Sequence, residues 1–462
     1  MAPLNAESQV SAFIQNLRRN QPGFFEAGYP ITVARAPGRL DALGGVADYS
    51  GGTVLERTIA DATFVAVQPV PHEWIQLHST AAAGLDADVR MPTGVLFPPG
   101  RPLTVHEVHE VLTTPHSRRW IAYVLGTLFL LVHDCGLPQN LVTGANIWIE
   151  STVPIGAGVS SSAALEVASC LAFASAYDLS LDGLELAALC QRVENEIAGA
   201  PCGIMDQVTS ALGLRAHMLA LKCQPHDILG HLPDPAGWSF FGIDSGVKHS
   251  VGGRSYTRAR VAAFMALKIV QTLTGDTLGG YLCNLNAEQW DDVRPNIPAS
   301  LTGSQFLARY NALPDTVTKV DPSETYFVRD CAEFPIRETQ RVLRVIEILR
   351  GGPTTDDAMR EVGHLMLESH AGYSDLLRLG SEETDLLVTL AMELGPSHGV
   401  YGAKITGGGS GGAVAILTHE EAVENVAQRI RKEYEDRTGL KTHLMTGTSE
   451  GALQLGARQF VW

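Results

Sequence analysis

The stretch "PIGAGVSSSAALEVA", residues 154–168, constrains this chain more than any other. Before it, "NIWIESTV" alternates as a strand does; after it, the residues from about Ser161 to Tyr177 are apolar nearly all round, as in a helix that lies in the interior. A strand that breaks into glycines and resumes as a buried helix leaves unpaired backbone N–H groups at the helix start. Gly156 and Gly158 let a ligand come close to that backbone, and Ser160, Ser161 and Ser162 stand where the helix begins. Such a start attracts phosphate, although a capped helix after a turn would look the same. The third glycine of a dinucleotide fingerprint is missing, and the chain nowhere contains the Gly-Lys of a P-loop.

Other segments hold polar groups against an apolar background. From Ile31 to Pro69 the apolar residues come in short runs that read as strands joined by turns, and within them "RAPGRLDALGGVADYSGG", residues 35–52, sets two arginines and two aspartates among five glycines. A helical pattern from about Leu184 to Ala198 has Leu186, Cys190, Val193 and Ile197 on one face and leaves Glu194 and Glu196 on the flanks. Periodicity does not choose between those two carboxylates. "AGAPCGIMDQVTSALG", residues 198–213, places Asp206 near the start of another helix, where a carboxylate also complements the dipole. "GGSGG" at 408–412 matches the G-x-S-x-G of serine hydrolases, but that motif needs a helix directly after it, and Ala413 to Leu417 reads as a strand. A tight glycine loop between two strands is the better reading.

The length of 462 residues predicts two domains, divided where "KCQPHDILGHLPDPAG" turns rich in Pro, His and Asp, giving residues 1–225 and 226–462. A formal charge of −16 argues against nucleic acid as a partner. The longest apolar run, residues 123–132, is about half of a membrane span and predicts a buried helix, so no membrane association and a cytoplasmic location are expected. Seven cysteines, odd in number and without C-x-x-C spacing, predict reduced structural thiols.

Taken in order, the glycine segments resemble the sugar kinases of the GHMP superfamily. "RAPGRLDALGGVADYSGG" looks like the opening motif of galactokinases, "PIGAGVSSSAALE" like their phosphate loop, "AGAPCGIMDQ" like their catalytic segment and "KITGGGSGGAVAIL" like their third motif. The resemblance implies an α+β, two-domain GHMP kinase fold with the active site in the cleft between the domains. It also implies ATP and Mg²⁺ as cofactors, and a small-molecule sugar, phosphorylated on its anomeric hydroxyl, as substrate. On this likeness Gly156, Ala157, Gly158, Val159, Ser160, Ser161, Ser162 and Ala163 wrap the ATP phosphates. Ser162 and Glu194 hold Mg²⁺, which suits hard oxygen ligands and keeps several waters. Asp206 is the catalytic aspartate and Arg39 its arginine partner, while Asp48, Gly45, Gly203 and Tyr256 face the sugar.

One departure bears on the substrate. Galactokinases usually read Gly-Glu-His-Thr-Asp-Tyr in the opening motif, and that Glu and His help hold the C-6 hydroxymethyl group. Here the residues are Gly44, Gly45, Val46, Ala47, Asp48 and Tyr49. Burying a hydroxyl without a partner costs about 1–3 kcal/mol, which disfavours galactose. The segment is similar to that of L-arabinokinases, whose sugar lacks the hydroxymethyl group, and the glycines are expected to occupy its place. Galactose, fucose and heptose kinases are the alternatives within the superfamily; a sugar-binding sensor without turnover is the alternative outside it.

Overall fold

The computed structural model describes residues 5–82, 84–248, 253–352 and 354–462. Two long strands form its spine: β1 (Pro30–Leu43) and β2 (Thr53–Pro69), antiparallel and almost wholly buried. Around them gather β3 (Trp74–Ser79), β4 (Asp88–Pro92), β5 (Ala145–Ser151), β6 (His217–Lys222) and β7 (Asp227–Pro233). The C-terminal half of β2 pairs with β5 and its N-terminal half with β6, which in turn pairs with β7. Only the β3–β5 contact is parallel among these pairs.

One face of this sheet carries Ala34, Ala36, Val65, Val67, Ile147 and Ile149, alternate positions that pack against the helices Ile121–His133 and Ser161–Ala176. The apolar run expected to be a buried helix is one, and among the described residues no helix is long and apolar enough to cross a membrane. The opposite face takes Phe13 and Leu17 from the helix Ala6–Asn20. All seven cysteines are free.

A second sheet holds β8 (Trp238–Asp244), then β11 (Val400–Ile405), β12 (Ala413–His419) and β13 (His443–Met445), in the order β11-β12-β8-β13. The short pair β9 (Leu301–Thr302) and β10 (Thr325–Tyr326) lies between them in sequence. Helices Arg254–Thr274 and Val328–Arg350 pack together beside this sheet, and helices Glu382–Leu394 and Val423–Thr438 cover its outer face. The glycine loop at 408–412 indeed joins two strands, β11 and β12.

The expected division at residue 225 falls inside the turn between β6 and β7. The change of sheet lies between Pro233 and Trp238, and the last strand, β14 (Arg458–Val461), returns to pair with β1. Hydrogen bonding across β6–β7 keeps residues 227–233 with the first sheet, because an edge strand left unpaired there would bury open N–H groups.

Candidate active site

Four loops meet where the two sheets approach. Residues 154–160 leave β5 and enter the Ser161–Ala176 helix through Gly156, Gly158 and Ser160, all at positive φ. Gly38 lets this loop close onto β1, since a Cβ there would lie 2.7 Å from the Val159 carbonyl; with that room the Arg39 N–H donates to Val159 O at 3.1 Å. From the other half, a Cβ on Gly158 would meet Thr406 O at 2.8 Å, and one on Gly412 would meet Ala157 O at 2.8 Å. Backbone thus packs on backbone between the phosphate-loop segment and the third glycine loop.

The resulting cleft, about 540 Å³, is bordered by Arg39, Val46, Asp48, Gly156, Gly158, Ser160, Ser161, Ser162, Cys202, Gly203, Asp206 and Tyr256. Gly156, Gly158 and Tyr256 also border an adjoining space of about 530 Å³ against Gly408–Gly412. Most of the residues singled out in the sequence are therefore brought together. Ala157, Val159 and Ala163 turn instead into the core. The Ser160 hydroxyl is buried without a partner, and the helix start has no side-chain cap, which leaves this end of the helix chemically suited to an anion. Tyr256 stands edge-on to Tyr49, with ring centres 5.9 Å apart; residues 249–252 of its segment lie outside the described residues.

At the floor, Arg39 donates from Nε to Asp206 Oδ1 at 2.9 Å, with Nη2 at 2.8 Å from the same oxygen, and from Nη1 to Gly158 O at 2.6 Å. Burial works against the Arg39 charge, but the neighbouring carboxyls, Asp206 first, outweigh it and hold the guanidinium firmly ionised. Asp206 sits in the first turn of the helix Met205–Leu212, its side chain partly open to the cleft. Asp48 lies nearby; burial, then the Asp206 charge, push its carboxyl up to about 7 against the pull of Arg260.

Glu194 and Glu196 part company. Glu196 is exposed and pairs with Arg192 at 3.1 Å, whereas Glu194 is buried in a π-helical turn, Val193–Ala198, accepting hydrogen bonds from Ser162 and from Gln207 Nε2 at 2.7 Å. Burial and the Asp206 charge push Glu194 up to about 7. Glu166 shares the Gln207 amide at 3.1 Å and keeps one oxygen without a partner. Oxygen donors crowded with negative charge fit a hard dication, which would relieve that crowding. Among the described residues no three of His, Cys, Asp and Glu group as a metal cage, so a dication at Ser162 and Glu194 would take its other ligands from phosphate and water.

Gly45, expected to face the sugar, departs from that expectation. It does not border the cleft: at φ +45° it faces Asp41 and Tyr373, and a Cβ would overlap the Tyr373 hydroxyl. The space expected for the missing hydroxymethyl contacts is filled by that tyrosine, which donates to Gly407 O at 2.7 Å and accepts from Val46 N at 3.3 Å. Val46, next in sequence, is the residue of the pair that reaches the cleft.

Several supporting groups went unread in the sequence. Lys404 and Asp41 form a fully buried ion pair at 2.7 Å across the two halves. Arg260 grips Asp315 through two hydrogen bonds, at 3.0 and 3.1 Å, and donates to Cys202 O at 3.0 Å, fixing the backbone beside Gly203. Glu338 accepts from Gly44 N at 3.0 Å and steadies the opening loop. A charge set inside an apolar, strand-like run, as in "RLDAL" or "YGAKITGG", is the signal that could have exposed the first pair.

A helix start suited to an anion beside an arginine–aspartate pair, all bordering one cleft, is an arrangement that phosphoryl transfer to a small molecule can use. Residues 122–214 match the GHMP kinases N terminal domain, residues 356–436 the GHMP kinases C terminal family, and residues 24–69 the galactokinase galactose-binding signature. The chain is 35% identical to an L-arabinokinase of Arabidopsis thaliana over 95% of its own length and 48% of that protein's, about half of the relative. It is 32% identical to a galactokinase of Chloroflexus aggregans, with 89% and 90% covered. The crystal structure of Lactococcus lactis galactokinase complexed with galactose superposes with a TM-score of 0.73 at 20% identity, covering 97% and 99%. The chain belongs to the GHMP kinase family, as a galactokinase-like sugar kinase.

Proposed function

We propose that this protein transfers the terminal phosphoryl group of ATP to the anomeric hydroxyl of a monosaccharide, with Mg²⁺ required and L-arabinose preferred. The observation that carries the preference is Val46, which borders the same cleft as Asp48 and whose side chain offers no polar atom there. A pentopyranose has no hydroxymethyl group to leave unbonded there. The likeness to an L-arabinokinase along 95% of the chain supports the same reading.

In this reading Asp206 accepts the anomeric proton as the sugar oxygen bonds to phosphorus and the bond to ADP breaks. Arg39 holds the Asp206 carboxylate in place and balances charge at the transferred group. The N–H groups of residues 156–163 hold the phosphates. Asp48 takes ring hydroxyls, with Tyr256 and the Gly203 backbone bounding the sugar. A Mg²⁺ ion at Ser162 and Glu194 would neutralise phosphate charge. Galactose is the second reading, favoured by the match of residues 24–69 to the galactose-binding signature. Purified protein with ATP and Mg²⁺ is tested on L-arabinose, D-galactose, L-fucose, D-glucuronate and a heptose. The highest kcat/KM is expected for L-arabinose; a higher value for galactose installs the second reading, and tight binding of one sugar without turnover of any points to a sensor.

A further inference from the structure

Glu56 is fully buried beside Arg39 and is not among the residues that border the cleft. It sits mid-strand in β2, held on one side by β1 and on the other by β6, and is cross-strand partner to Asp41. Like charges directly opposite on neighbouring strands repel, and the two carboxyls resolve this differently. Asp41 takes Lys404 and the Gly45 N–H. Glu56 comes within 3.1 Å of Arg39 Nε, yet the Nε proton is donated to Asp206, and neither Glu56 oxygen has a hydrogen bond.

Arg39 and Lys404 face Asp41, Glu56 and Asp206, so three carboxyls share two cations, with Glu56, Asp41 and Lys404 fully buried, and full ionisation would leave one negative charge over. The carboxyl without hydrogen bonds is the one for which ionisation costs most. We propose that Glu56 is a positioning residue for phosphoryl transfer: uncharged in the working site, it leaves Arg39 to Asp206, and on ionising it draws the guanidinium back from the base. This rests on the kinase reading above. Burial, and then Asp41, push the Glu56 carboxyl well above the usual range, opposed by Arg39 and Lys404 and reinforced by Asp206; the Cys223 thiol beyond β6 faces it as well.

Two measurements on the full chain test this. In the first, kcat is followed from about pH 6 to about pH 9 in wild type and in Glu56→Gln, using the best sugar of the panel; wild type is expected to lose about 10-fold on the alkaline side. Glu56→Gln should lose that limb, or move it up by about one pH unit, with both KM values within about two-fold of wild type. A residue that only packs would leave the profile in place. In the second, the Arg39 Nε resonance, assigned through Arg39→Lys, is titrated without substrate. An alkaline transition is expected in wild type, absent in Glu56→Gln and displaced downward by about one unit in Asp206→Asn, where a repelling charge is gone. Matching titrations in wild type and Glu56→Gln overturn the proposal. Should Glu56→Gln not fold, an undisplaced transition in Asp206→Asn overturns it instead. Absence of turnover with every sugar removes the kinase reading, while the resonance still decides the role of Glu56.

Discussion

Gly203 lies so close to Asp48 that a Cβ built on it would overlap the Asp48 carboxylate. The glycine is there for its neighbour's sake: Arg260 fixes the preceding carbonyl, of Cys202, at 3.0 Å, so the segment cannot drift away to admit a side chain. Gly203→Ala should push the Asp48 carboxylate off its place and raise the sugar KM by about 10-fold or more, the loss of one charged hydrogen bond, while ATP binding stays near wild type. Steady-state kinetics against each substrate in turn checks this; an unchanged sugar KM would mean that Asp48 does not hold the sugar.

Asp206→Asn keeps the shape of the side chain and removes the base. The fold and nucleotide affinity should be retained and kcat should fall by at least ~10²-fold, the lower end for general base catalysis. Near-normal turnover would take the proton acceptor away from Asp206.

Glu194→Gln and Glu196→Gln separate two carboxylates two residues apart. The buried one, bonded to Ser162, should raise the Mg²⁺ concentration for half-maximal rate by about 10-fold or more. Loss of the exposed one costs only a surface pair with Arg192 and should change little. Equal effects in a Mg²⁺ titration would remove Glu194 from the metal site.

The buried carboxyls Asp48, Glu56, Glu166, Glu194 and Asp244 have their proton affinity raised, in each case first by burial. A carboxyl whose folded value lies above its unfolded one stabilises the fold fully below the unfolded value, near pH 4, and loses that contribution as pH rises through the folded value. For Asp48 the window runs from about 4 up to about 7. The ligand-free protein should therefore melt at lower temperature as pH rises across that window, and Asp48→Asn should flatten the slope by a few degrees. Parallel melting curves for wild type and Asp48→Asn across the window would contradict this.

The sequence made the glycine loops, the interior helix after residue 160 and the strand–loop–strand at 408–412 legible, because each is written in local spacing. It also marked Arg39, Asp48, Asp206 and Tyr256, which the fold gathers in one cleft. Three things were not local. The place of Gly45 depends on Tyr373, more than 300 residues away along the chain. The Asp41–Lys404 pair and the hold of Arg260 on Cys202 likewise join distant segments that no periodicity connects. The sheet boundary escaped because the side of β7 and of β14 is settled by pairing, and their composition does not reveal it.

Val46 offers the cleanest test of what sets the sugar. Restoring both galactokinase-like residues is not available here: Gly45→Glu would drive its Cβ into the Tyr373 hydroxyl at a positive φ, and that hydroxyl also holds Gly407 and Val46, so the variant should lose activity towards every sugar. Val46→His meets no positive φ, and Val46, though its side chain is largely buried, already borders the cleft with its N–H bonded to Tyr373. An imidazole there supplies a hydrogen-bonding group where the valine has none. A hydroxymethyl sugar can use that group, and a pentopyranose leaves it buried and unbonded. One such contact is worth about 1–3 kcal/mol, so the ratio of kcat/KM for D-galactose over L-arabinose should rise by roughly 10- to 100-fold. A folded Val46→His variant with an unchanged ratio would show that this wall does not choose the sugar, and would move the search to Asp48, Tyr256 and the Arg260–Asp315 side of the cleft.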